Sequence, residues 1–217
     1  MHPNQRRPAG AWLLRRRLVL LAAASAALAR PALAALVTAD ASPKDFIREL
    51  GERTVTILEQ EATPQRKLDE LKRLLDQSTD LSLIGRLVMG RYWRQASEAQ
   101  RAEYLRLFNQ LIMQTMAERL SWYNGQTFEV LEARPVDERD SMVATRINRP
   151  GGKPPVFVDW RVRRSDQGYL VIDIIAEGIS LVVTQRSEAA EIISRNGVDG
   201  LLAEMRDRVA RRDAARI

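Results

Sequence analysis

Carboxylates are the residues of this chain whose types and spacing come nearest to catalysis. Asp173 and Glu177 stand four residues apart in an apolar string that runs from Tyr169 to Gly178, and Asp159 lies in the string before it. Two carboxylates at a suitable separation can serve as acid and base on a glycosidic bond, provided that apolar surroundings raise the pKa of one of them. Here Arg161, Arg163 and Arg164 occupy the same stretch, so salt-bridged residues on the polar face of a sheet account for the acids without any substrate. Glu177-Gly178 reads as a backbone turn, with Glu177 or Ser180 satisfying the start of a helix. No catalytic residue is expected.

Residue counts remove most other chemistries. The chain has one histidine, His2, and no cysteine. His2 falls in a leader: Arg6, Arg7, Arg15, Arg16 and Arg17 precede a twelve-residue, mostly apolar run from Leu18 to Ala29, closed by the small-residue string Pro31-Ala32-Leu33-Ala34. That is the pattern of a cleavable secretory signal over residues 1–34, too short to cross a bilayer core of roughly 30 Å. The general secretory route is favoured over the twin-arginine route, because nothing downstream points to a cofactor inserted before export. The mature chain, 35–217, would then hold no thiol nucleophile, no imidazole base and no His or Cys ligand for a metal, and no cofactor is expected.

The leader also carries the charge imbalance. Of 34 basic and 28 acidic residues, six arginines and no acids lie in residues 1–34, which leaves 28 of each sign. A balanced mature chain gives no footprint for nucleic acid, and none is expected as a partner.

The elements that position the remaining side chains follow from periodicity. Ser42-Pro43-Lys44-Asp45, Thr63-Pro64 and Asp80 cap three amphipathic helices, the third ending near Gly90. Ser97 and Gln100 form a capping box for a longer helix reaching Tyr123, on which Tyr104, Phe108, Leu111, Ile112 and Met116 belong to one wide apolar stripe. Strands are expected at Thr127–Ala133, Met142–Asn148, Pro155–Arg164 and Tyr169–Ala176, the last two joined by a tight turn at Ser165 to Gly168. On the third, Val156, Val158, Trp160 and Val162 share a face opposite Asp159, Arg161 and Arg163. Two helices, 181–195 and 199–212, flank a break at Asn196-Gly197 and end in a cluster of Arg206, Arg208, Arg211, Arg212 and Arg216, explained either by an anionic surface or by a solvated helix end. The sum is one α+β domain, with helices on one face of a four-stranded antiparallel curved sheet.

Two strings carry a resemblance. Val171-Ile172-Asp173-Ile174-Ile175-Ala176-Glu177-Gly178-Ile179-Ser180-Leu181-Val182, followed by Arg186-Ser187, resembles the signature of the MlaC, or toluene-tolerance, family of periplasmic phospholipid-binding proteins. Met89-Gly90-Arg91-Tyr92-Trp93-Arg94, with Ser97 and Gln100 behind it, resembles that family's other conspicuous segment. The likeness runs from about Ser42 to the C-terminus and departs at Tyr169 and Ala189. It implies a periplasmic carrier that moves phospholipid between an outer-membrane lipoprotein-porin complex and an inner-membrane ABC transporter with an MCE-domain subunit, maintaining outer-membrane lipid asymmetry. The pocket such a carrier needs is expected between the helix stripe Tyr104, Phe108, Leu111, Ile112 and Met116 and the sheet face Val156, Val158, Trp160 and Val162. A hopanoid carrier of the same family and a periplasmic adaptor with a filled core remain open.

Overall fold

The structure, a computed structural model, describes residues 42–166 and 168–214; the expected leader and Arg216 lie outside the described residues. Four helices come first: α1 (Pro43–Glu59), α2 (Pro64–Ser78), α3 (Leu81–Met89) and the single turn α4 (Tyr92–Gln95). The 23-residue α5 (Glu98–Leu120) follows. Local chemistry sets their starts. The Ser42 hydroxyl accepts from the Asp45 N–H while the Asp45 carboxylate reaches back to Ser42, Thr63 and Asp80 cap α2 and α3, and Ser97 and Gln100 close a second capping box.

The sheet is antiparallel in the order β1 (Thr127–Pro135), β2 (Asp140–Asn148), β3 (Val156–Ser165), β4 (Gly168–Ala176) and β5 (Ile179–Ser180). It therefore has five strands, not the expected four. The reason lies at Glu177 and Gly178, whose φ values of 49° and 79° are both positive, as a two-residue hairpin turn requires. The turn folds Ile179 and Ser180 back onto Ala176 and Ile175 before the helix starts, and the Glu177 carboxylate accepts the Phe157 N–H at 2.8 Å. A bulge in β4, where Val162 pairs with Val171 and Arg161 with Asp173, buries Val171 and Ile172 together.

The last element, α6 (Leu181–Ala214), is one helical run broken at Gly197, whose φ of 69° and ψ of −179° belong to a region open essentially to glycine alone. The second half of α6 lies parallel to α5. Gln100 meets Asp199, Glu103 meets Arg206 and Thr115 meets Arg212, a nearly constant offset along both helices.

Two apolar clusters result. On the sheet side, α1 and α2 press Phe46, Ile47, Leu71 and Leu74 onto Val143, Val162 and Val171. Among the helices, Tyr104 and Leu107 of α5 pack with Val182, Ile193, Leu202 and Met205 of α6 and with Val88 of α3.

Candidate functional site

A cavity of about 550 Å³ opens where the two clusters meet, bounded by α2, α3, α5, β4 and both halves of α6. Small-ligand pockets span roughly 300–1,000 Å³, so this one can hold a guest. A second cavity, about 190 Å³ beneath α1, falls below that range and is lined by Ile47, Leu50, Phe128 and Trp160 among others.

One wall of the larger cavity is the α5 stripe: Tyr104, Phe108, Leu111, Ile112 and Met116 all face it. Tyr104 anchors the wall. It is 1% exposed, its hydroxyl donates to the Gly85 carbonyl at 3.2 Å, and its ring stacks on Phe108 at 5.8 Å and meets Trp93 edge-on at 6.5 Å. Burial pushes the Tyr104 hydroxyl pKa up, so the wall stays uncharged.

The sheet supplies a different strand from the one expected. Val156, Val158, Trp160 and Val162 do not border the larger cavity; Val171 to Ile174 of β4 do. Val162, 0% exposed, is sealed in the sheet-side cluster, and Val158 is buried as well. Trp160 borders the smaller cavity, meets Phe128 edge-on at 6.3 Å and donates to the Thr145 hydroxyl at 2.9 Å. Strand alternation says which residues share a face but not what covers them. Here α1 and α2 cover that face, leaving the seam beside β4 open.

The facing wall is α6, which the reading of the sequence left out of the site. Val182, Ala189 and Ile192 come from its first half, Leu201 and Met205 from its second. The steps of seven residues from Val182 to Ala189 and three from Ala189 to Ile192 were a usable helical signal. Arg208 ties the halves together, donating to Glu188 before the break and to Glu204 after it. Arg212 reaches the Thr115 hydroxyl at 2.6 Å and the Leu111 carbonyl at 3.3 Å, and pairs with Glu118 at 3.5 Å. The lining residues most open to solvent include Leu181, Gln185 and Arg119, which mark the mouth. Arg206, also in the expected C-terminal cluster, pairs with Glu103 at 2.9 Å.

Two of the carboxylates weighed for catalysis, Asp173 and Glu177, have backbone duties. Asp173 accepts from the N–H groups of Ile174 and Val182 and from the Ser180 hydroxyl, while Ser180 accepts from the Val183 N–H, so the two residues cap the start of α6. A separate acid, Asp140, is buried between Arg161 and Arg163, each at 2.7 Å. The Arg163 hydrogen bond, joined by that of Arg161, holds the Asp140 carboxyl below its usual pKa. Among the described residues no group of three or more acidic or histidine side chains is placed to hold a metal, and no helix is long and apolar enough to cross a membrane.

Comparison with known proteins points one way. The intermembrane phospholipid transport system binding protein MlaC of Haemophilus influenzae is 24% identical over 130 residues, which span 58% of this chain and 60% of that protein, less than two thirds of its length. A solved structure of the phospholipid-binding protein from Ralstonia solanacearum, in complex with a phospholipid, superposes with a TM-score of 0.69 at 28% identity, covering 80% of this chain and 99% of that one. The family model described as MlaC protein matches residues 48–207, well over half of the sequence and every element from the latter part of α1 into the second half of α6. The chain belongs to the MlaC family.

Proposed function

We propose that this protein is a periplasmic phospholipid carrier whose cargo lies with its acyl chains in the cavity between α5 and α6. The observation that carries the reading is that cavity: about 550 Å³, walled by Phe108, Leu111, Ile112 and Met116 on one side and Val182, Ile192 and Met205 on the other. Moving an acyl chain from a membrane into water costs about 0.8 kcal/mol per CH₂, so a sixteen-carbon chain costs on the order of 13 kcal/mol, and an apolar enclosure offsets it without any reaction. The solved Ralstonia solanacearum relative, bound to a phospholipid, supports the choice of cargo. The name of the Haemophilus influenzae relative supports transport between membranes. In this reading the lipid moves between an outer-membrane lipoprotein-porin complex and an inner-membrane ABC transporter with an MCE-domain subunit, and the exchange maintains outer-membrane lipid asymmetry.

The test is native mass spectrometry with lipid extraction, on protein purified from periplasm without detergent. A mass excess equal to a phospholipid is expected. An apo mass, with no uptake of labelled phospholipid added afterwards, would instead identify an adaptor, and a polycyclic lipid would identify the hopanoid carrier.

A further inference from the structure

We infer that Arg119 is the residue that engages the phosphate of the cargo, so that the site discriminates phosphodiester lipids from uncharged lipids with the same chains. The inference rests on the carrier reading and adds to it a basis for choosing the headgroup.

Three arginines border the cavity: Arg119, Arg208 and Arg212. Two are committed elsewhere. Arg208 is held by Glu188 and Glu204, and Arg212 by Glu118, the Thr115 hydroxyl and the Leu111 carbonyl. Arg119 has no carboxylate partner among the described residues; its guanidinium lies 5.8 Å from the centre of the Trp122 ring. A cation in the last turn of a helix is favoured by the helix dipole, which accounts for the charge but not for its place on a cavity wall.

Because α5 and the second half of α6 run parallel, their C-terminal ends lie together, and Arg119 and Arg212 stand at the same end of the two walls. Chains lying along the α5 stripe toward Tyr104 would leave a headgroup at that end. A phosphodiester offers only acceptors, and a guanidinium offers a planar fork of donors that matches it. Trp122, 67% exposed, presents beside it the kind of amphipathic ring that favours a boundary between apolar and aqueous surroundings.

The experiment equilibrates the exported protein with vesicles containing equimolar phosphatidylglycerol and diacylglycerol of identical chains, then reads the bound ratio by native mass spectrometry. The wild type is expected to favour phosphatidylglycerol by about tenfold, the discrimination of one charge-assisted hydrogen-bonding group. Arg119→Gln should bring the ratio close to one, and Arg119→Lys should retain part of the preference. Arg106→Gln, which removes an exposed charge from the same helix where it pairs with Glu103, should leave the ratio unchanged. An unaltered ratio in Arg119→Gln, or an equal fall in Arg106→Gln, overturns the inference. Equal uptake of both lipids by the wild type overturns it while leaving the carrier reading intact; uptake of neither removes both.

Discussion

The sheet-side cluster beneath α1 and α2 and the helical cluster between α5 and α6 draw on the same side chains, leucine, isoleucine, valine and a few aromatics, yet one closes and the other stays open. Under α1 the two helices lie across the sheet, so that Phe46, Ile47, Val143 and Val162 are each 0% exposed and the cavity left is about 190 Å³. Between α5 and α6 the walls are spanned by a helix that turns at Gly197, and about 550 Å³ remains. Apolar composition predicts burial in both places. What separates a filled core from a vessel is the path of the backbone around it.

Substitutions can set the two regions against each other. The largest effect is expected from Val162→Asp: an unpaired carboxylate in the sealed cluster should destabilise by more than about 4 kcal/mol and abolish the cooperative transition in urea. A variant that folds and merely carries less lipid would show instead that the sheet face belongs to the vessel. Phe46→Ala should cost about 3–5 kcal/mol by denaturant titration while leaving the lipid carried per folded molecule unchanged. A fall in lipid per folded molecule would join the two regions.

Asp140→Asn probes the polar edge of the sealed side and should cost about 1–3 kcal/mol at neutral pH, through weakened hydrogen bonds to Arg161 and Arg163. The folded-state pKa of Asp140 lies below its ordinary value. Its ionic contribution is therefore present above the unfolded-state pKa and lost as pH falls through the folded one. Urea midpoints of wild type and variant should converge across that acid range; a constant gap would show that shape, not charge, matters at this position. The smallest stability change is expected from Ile112→Trp, which adds bulk to a wall with room in front of it: less than about 1.5 kcal/mol, compared in the lipid-free state. Its lipid content by mass spectrometry should nonetheless fall to a minor fraction. Full lipid content would place the guest elsewhere.

Much of this arrangement was legible before any coordinates. Ser42, Thr63, Asp80 and Ser97 announce helix starts because a side-chain oxygen there satisfies an otherwise free N–H, a local rule that needs no tertiary context. The α5 wall was legible too, since Tyr104, Phe108, Leu111, Ile112 and Met116 repeat at helical spacing. The partner of that wall was not. Val156 to Val162 has the strongest alternation in the chain and invited the pairing, but α1 and α2 occupy that face, and which helix covers which sheet is decided by long-range packing. Strand β5 was hidden for a simpler reason: two residues have no period. Asp173, conspicuous as a carboxylate in an apolar string, proves to anchor the start of α6, a duty visible only once Val182 and Ser180 are folded back beside it.

Straight, the 34 residues of α6 would form a rod about 50 Å long. With the break, Ala189 and Met205 look onto one space, and Arg208 latches the two arms. The chain thus acquires an inside without recruiting another element, and the breadth of that inside is governed by a dihedral angle at a residue that need not touch the guest. Capacity and chemistry would become separate design variables in the proposed carrier: the side chains of the walls would select what is held, and the position of one glycine along a helix would set how much.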